Sequence, residues 1–147
     1  WEIERGEAGA MRHVETAARE HPEPALVWLR AGRSFEAAGK SDEAITALSL
    51  SHEIDSSRPG AASLLSALLE KRGLARALAG DAAGARPDLE EAVRLDGTNA
   101  AARLNLAAIL AGLGETNRAR SFARQALELK PDYEKARALL QALERMK

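Results

Sequence analysis

The stretch LEKRGLARALAGDAAGARPDLEEAVRLD (Leu69–Asp96) has the same pattern as the later stretch RLNLAAILAGLGETNRARSFARQALELK (Arg103–Lys130). Small and apolar residues recur between the two at a constant spacing of 34 residues, as in Gly73 with Ala107, Gly80 with Gly114, Ala85 with Ala119, Ala92 with Ala126 and Leu95 with Leu129. A period between about 20 and 50 residues is typical of an array of stacked supersecondary units. The sequence therefore predicts a repeat architecture.

The composition favours helices over strands. The chain is 46% hydrophobic but only 3% aromatic, and Ala and Leu, which have high helix propensity, dominate it. The formal charge of -1 provides no global field for nucleic acid or an anionic membrane, and no apolar run reaches the roughly 20 residues of a membrane span. Because cysteine is absent, disulfides and thiolate metal sites are excluded. We therefore expect an all-α chain with no nucleic-acid partner and no membrane insertion.

Glycines and prolines divide the apolar periodicity into helices. Gly6 is expected to end a helix tail at residues 1–5, and Ser41 or Asp42 is expected to cap the third helix that follows. The pattern of apolar residues at intervals of three and four predicts these helices over residues 7–21, 24–38, 41–55, 61–79, 82–95, 100–113, 116–129 and 131–146.

One interval departs from the period. Ala44 and Ala85 are 41 residues apart, seven more than the common spacing, and seven residues are close to two helical turns. A helix extension at residues 61–68 accounts for the surplus, and a looped insertion also fits the count. Pro87 lies too far inside its helix to be a first-turn proline, so we expect a kink or a lost hydrogen bond near Ala83.

These residues resemble the tetratricopeptide repeat, a helix–turn–helix unit of 34 residues. In the first copy the family pattern is matched by Trp28, Gly32, Phe35, Gly39, Ala44 and Leu48, with Ser51 and Ser56 where alanine and proline are usual. In the second it is matched by Leu69, Gly73, Gly80, Ala85, Leu89 and Ala92, with Arg76 in place of an aromatic residue and Gly97 in place of proline. In the third it is matched by Asn105, Leu106, Ala107, Gly114, Ala119, Ala126 and Pro131, with Arg103, Leu110 and Ala123 in bulky positions.

The resemblance implies a right-handed α-solenoid of antiparallel helix pairs that forms one domain over residues 1–147. Its parts are a half repeat (7–22), three repeats (25–58, 59–99 and 100–133) and a capping helix (134–147). Small residues at the pair interfaces let the two backbones approach closely, and stability comes from the stacking of neighbours.

In this family the first helices of the repeats line a concave groove that binds peptides, so the resemblance implies a protein or peptide partner. The corresponding residues here are Leu29, Arg30, Arg33, Glu70, Lys71, Leu74, Leu104, Asn105, Ala108 and Lys135. Leu29, Leu74 and Leu104 are expected to form an apolar floor. Asn105 has a second interpretation, a hydrogen bond to the backbone of the neighbouring repeat. Only Asn105 and Lys135 fit the clamp for a terminal carboxylate that some relatives carry, so we do not expect that clamp.

Other functions have weaker support. No nucleophile, base or metal constellation indicates an enzyme, a cofactor or a metal site, and His13, His21 and His52 are not spaced as ligand pairs. The alternative is an accessory or oligomerisation domain of a larger protein, possibly an enzyme, which associates through an uncovered N-terminal end containing Trp1 and Ile3. Arg outnumbers Lys sixteen to five, which indicates a GC-rich bacterial source.

Overall fold

The computed structural model describes residues 2–146, in which it shows eight α-helices and no strand. The helices are α1 (Glu2–Glu20), α2 (Pro24–Ala37), α3 (Ser41–Ile54), α4 (Ala61–Leu78), α5 (Ala82–Leu95), α6 (Ala100–Gly112), α7 (Thr116–Leu129) and α8 (Glu134–Arg145). The predicted all-α class is confirmed. Over the same residues, no helix combines the length and the apolar character needed to cross a membrane.

The helices form two compact units, and the boundary between Leu65 and Ser66 falls inside α4. The core of the first unit includes Ala18, Trp28 and Ala47. The core of the second unit includes one cluster of Ala85, Leu89, Leu106, Leu110, Ala119 and Leu143, and another of Leu104, Ala126 and Ala136. The repeat boundaries given above remain predictions.

Glycine ends three of the helices in the same way. Gly39, Gly80 and Gly114 have φ angles of 75°, 86° and 79°, in the left-handed region that glycine adopts without a Cβ clash. In the first of these turns the N–H of Lys40 donates to the carbonyl of Phe35 at 2.9 Å. The same bond, which satisfies a carbonyl at the helix end, recurs after the other two glycines. The predicted turns at these positions are confirmed.

Two predictions of helix ends are wrong. Helix α1 continues through Gly6, because one interior glycine costs only about 1 kcal/mol and Gly6 does not adopt the left-handed conformation that ends a helix. The N-terminal cap position of α3 is Lys40, whose side chain makes no capping hydrogen bond, so Ser41 and Asp42 already belong to the helix. Trp1, on which part of the predicted N-terminal contact rests, lies outside the described residues.

The seven surplus residues lie mostly in a helix. Helix α4 has 18 residues whereas α6 has 13, which accounts for five of them. The loop at residues 55–60 is two residues longer than the loop at residues 96–99, which accounts for the other two. Helix α5 continues past Pro87, which has no N–H to donate to the carbonyl of Ala83.

The helices of a pair touch where a small residue faces a large one. A Cβ added at Gly73 of α4 would lie 2.7 Å from Cγ of Leu89 in α5, so any side chain at this position would force Leu89 to move. The same close approach recurs at Gly32, where an added Cβ would lie 2.6 Å from the facing leucine of α3. In α6 and α7 the corresponding residues are Ala107 and Ala123, and both are fully buried.

Buried serines add hydrogen bonds inside two of the pairs. Ser51 Oγ on α3 donates to the carbonyl of Ala25 on α2 at 2.8 Å. Ser66 Oγ on α4 donates to the carbonyl of Ala92 on α5 at 2.7 Å and accepts from Asn99 Nδ2 at 3.0 Å. By repeat position, Ser66 corresponds to Ala25, and Ala92 corresponds to Ser51. The serine that donates the hydrogen bond therefore lies on the second helix in the first pair and on the first helix in the other pair.

A charged cluster also lies inside the pair of α4 and α5. Asp88 is 6% exposed and accepts hydrogen bonds from Arg72 Nε at 2.9 Å, from Arg72 Nη2 at 2.8 Å and from Arg76 Nη1 at 2.7 Å. Arg76 occupies the position where the resemblance calls for an aromatic residue. The corresponding residues of α6 and α7 are apolar: Leu106, Leu110 and Phe122.

Candidate functional site

The ten residues predicted to line a groove are distributed over both compact units. Three lie on α2 of the first unit: Leu29, Arg30 and Arg33. Seven lie in the second unit: Glu70, Lys71 and Leu74 on α4, Leu104, Asn105 and Ala108 on α6, and Lys135 on α8. The second unit therefore contains residues from three successive first helices.

A hydrogen bond joins two of these helices. Asn105 Nδ2 on α6 donates to Glu70 Oε1 on α4 at 2.6 Å. Both side chains are half-buried. The second interpretation of Asn105, a bond to neighbouring backbone, is therefore not the one that the structure shows. The amide instead holds a carboxylate of the preceding helix pair in place.

Burial perturbs this carboxylate. The pKa of Glu70 is raised above its ordinary value, mainly because burial disfavours the charged form, while Lys71 and the Asn105 hydrogen bond act in the opposite direction. The carboxylate is thus partly dehydrated, and Asn105 donates a hydrogen bond to it. A further hydrogen-bond donor, brought by a bound molecule, would replace part of the missing hydration.

Tyr133 also belongs to this site, although it is not among the ten predicted residues. It precedes α8 and packs against the cluster of Leu104, Ala126 and Ala136. Burial raises the pKa of Tyr133, and the negative charge of Glu70 raises it further. Tyr133 is the only tyrosine in a chain with few aromatic residues. That scarcity is the one signal that could have indicated it.

The predicted apolar floor needs correction. Leu29 and Leu104 are only 5% and 7% exposed, because both pack into the core, and so they offer little surface to a ligand. Leu74 is 38% exposed and remains available. Lys71, Ala108 and Lys135 are also exposed. In the first unit Arg30 and Arg33 are likewise exposed on α2.

We use the name α4–α6–α8 face for Tyr133 together with six of the predicted groove residues of the second unit: Glu70, Lys71, Leu74, Asn105, Ala108 and Lys135. It combines an apolar contact, a desolvated acceptor and two cations, which suits recognition of a peptide. Among the described residues, no group of three His, Asp or Glu side chains is arranged to hold a metal ion.

Comparison with known proteins agrees with this fold. Residues 76–143 match the family described as Tetratricopeptide repeat. No curated protein matches the sequence. The first TPR of Spaghetti (RPAP3), solved with the HSP90 peptide SRMEEVD, has a TM-score of 0.56 and 24% identity, with 83% of this chain and 94% of that chain covered.

Two further solved structures are similar. The second TPR domain of human RPAP3, solved with the HSP70 peptide SGPTIEEVD, has a TM-score of 0.55 and 21% identity over 82% of this chain and 98% of that chain. A crystal structure of MamA has a TM-score of 0.58 and 19% identity over 94% of this chain and 77% of that chain. Identities this low show the fold alone. The match to the Tetratricopeptide repeat family covers residues 76–143, and the similarity of fold to these solved structures extends over most of the chain.

Proposed function

We propose that this chain is a protein-interaction scaffold, which binds a peptide or a segment of a partner protein against the α4–α6–α8 face. The observation that carries the proposal is the 2.6 Å bond between Asn105 and Glu70, which fixes a half-buried carboxylate between two first helices beside the exposed Leu74. The peptide complexes of the two RPAP3 domains are in keeping with this function.

The chemistry of the face defines the bound segment. Leu74 offers a contact for an apolar side chain, and the carboxylate of Glu70 offers an acceptor for a backbone N–H or a basic side chain. A terminal carboxylate close to Asn105 would meet the negative charge of Glu70. We therefore propose that a neutral or basic part of the segment lies against Glu70. In the first unit, Arg30 and Arg33 are proposed contacts for a partner protein. The scaffold role requires no catalysis, cofactor or metal.

Selection from a random peptide display library, followed by calorimetric titration of the enriched peptides, tests the proposal. Leu74→Glu and Asn105→Ala should each weaken binding at least about tenfold, which is about 1.4 kcal/mol. Leu113→Glu is the matched control, because Leu113 is 48% exposed and lies just after α6, outside the face. Unchanged affinity in both face variants would contradict the proposal, as would an equal loss in the control.

The titration of Glu70 provides a second test. Because its pKa is raised in the folded state, the folded chain holds this proton more tightly than the unfolded chain, and the free energy of unfolding falls as pH rises through the titration of Glu70. Glu70→Gln should remove this part of the pH dependence, measured by urea unfolding between about pH 4 and pH 7. Identical pH profiles for the two proteins would show that Glu70 is not desolvated.

A further inference from the structure

A cavity of about 550 Å³ opens in the first unit, beside α1 and the ends of α2 and α3. Its apolar lining is formed by Met11, Ala18, Pro24, Trp28, Leu50 and Ile54. Trp28 and Ala18 are only 6% and 5% exposed, so they form the floor. Ile54 is 48% exposed, so an apolar wall of the cavity faces water.

One apolar residue of the cavity, Leu50, is particular to this helix pair. Leu50 of α3 corresponds, by repeat spacing, to Glu91 of α5 and to Gln125 of α7. The two later pairs therefore place polar side chains at a position where the first pair places leucine. Exposed apolar surface is costly in water, so a cavity that combines leucine, isoleucine and tryptophan indicates a binding site.

The polar residues of the cavity carry a positive excess. Arg12, Arg19 and His21 line it together with Glu15. Arg19 pairs with Glu15 at 2.5 Å, and Arg12 is not part of that pair. His21 Nδ1 accepts a hydrogen bond from the backbone N–H of Glu23 at 3.0 Å, which places the proton of the neutral ring on Nε2 and makes that atom a donor.

We propose that this cavity binds a small amphipathic anion, namely a carboxylate with an aromatic ring or a medium-length alkyl chain. The volume of the cavity lies within the range of about 300–1,000 Å³ that is typical of small-molecule sites. Such sites are mostly apolar and contain a few polar groups. The apolar body of the ligand packs on Trp28, Leu50 and Ile54. Its carboxylate pairs with Arg12 and accepts from His21. This site is independent of the peptide-binding function proposed for the second unit.

Titration with octanoate and with the uncharged octanol tests both parts of the site. Binding is followed by calorimetry and by Trp28 fluorescence in a Trp1→Phe background, which removes the other tryptophan. Octanoate should bind with a Kd below about 1 mM and at least about fivefold more tightly than octanol. Arg12→Gln should abolish that preference and leave octanol binding unchanged. Absence of saturable octanoate binding, or an equal affinity for octanol, would overturn the proposal.

Paired variants locate the binding. Leu50→Gln introduces the residue that α7 carries at this position, and with Ile54→Gln it should reduce octanoate affinity at least about fivefold. Leu129→Gln is the matched control, because Leu129 corresponds to Ile54 in the repeat, is 42% exposed and lies outside the cavity. An equal loss in the control would overturn the site. The proposal would also be overturned if sedimentation showed a dimer and Ile54→Gln dissociated it. A second copy of the chain would then occupy the cavity.

Discussion

The pair of α4 and α5 and the pair of α6 and α7 reach the same packing with different residues. In the first of them Gly73 faces Leu89, and in the second Ala107 and Ala123 occupy the same two positions. A methyl group is added on one helix and an isobutyl group is reduced to methyl on the other. The comparison shows that the repeat requires one small residue and a compatible partner, rather than a particular amino acid.

The same two pairs differ in polarity. Asp88 and its two arginines occupy the positions that Leu106, Leu110 and Phe122 hold in the later pair. Asp88 is buried, yet Arg72 and Arg76 are 29% and 38% exposed and so keep contact with water. The same three repeat positions can therefore hold either an apolar cluster or an ion cluster. In the ion cluster the buried carboxylate must be fully paired.

The largest effect on the free energy of unfolding should come from replacing the facing residues of α4 and α5 by alanine. Leu89→Ala should cost about 2–5 kcal/mol, because it leaves a cavity opposite Gly73. Gly73→Ala should cost about 1–3 kcal/mol, because the new methyl meets Leu89. The double variant reproduces the alanine pair of α6 and α7, so its cost should be smaller than the sum by about 1 kcal/mol or more. Urea unfolding of all four proteins measures this coupling, and strict additivity would show that the two helix pairs do not pack equivalently.

A smaller effect is expected from the ion cluster. Asp88→Ala removes the carboxylate shared by Arg72 and Arg76, and should cost about 2 kcal/mol, less than the 3–5 kcal/mol typical of fully buried pairs because both arginines reach solvent. The triple variant Arg72→Leu, Asp88→Phe, Arg76→Leu copies the later pair and should be at least as stable as the natural chain. Chemical unfolding compares the three proteins. A triple variant that is less stable than Asp88→Ala would show that the two helix pairs are not equivalent at these positions.

The smallest effect concerns the buried serines. Ser66→Ala should cost about 1 kcal/mol, since it removes the hydrogen bond to Ala92 and leaves the amide of Asn99 without its acceptor. Ser51→Ala removes a single hydrogen bond and should cost less. Thermal unfolding of the two variants gives the order, and a larger loss for Ser51→Ala would contradict it.

The register of the helices could be predicted because it depends on local signals. Gly39, Gly80 and Gly114 fix the turns through their φ angles, and the constant spacing fixes which residues face each other. Gly6 misled the prediction because a glycine ends a helix only where the chain adopts the left-handed conformation. That choice depends on the surrounding structure and not on the residue alone.

The site was less predictable because burial depends on three-dimensional packing. Leu29 and Leu104 lie on the first helices, as expected, but they turn into the core and leave Leu74 as the apolar contact. The partner of Asn105 is Glu70, which lies 35 residues away, and Tyr133 joins them from the start of another helix. No periodicity in the sequence specifies such side-chain neighbours.

The side-chain amide of Asn99 makes two hydrogen bonds, one through its oxygen and one through its nitrogen. Its Oδ1 accepts from the N–H of Ala102 at 2.9 Å and so begins α6, while its Nδ2 donates to Ser66 of α4. Deamidation would convert this side chain into a carboxylate, which still accepts at the start of the helix but has no proton for the serine. Chemical ageing at this position would thus leave the helix content unchanged while it weakens the attachment of α6 to α4.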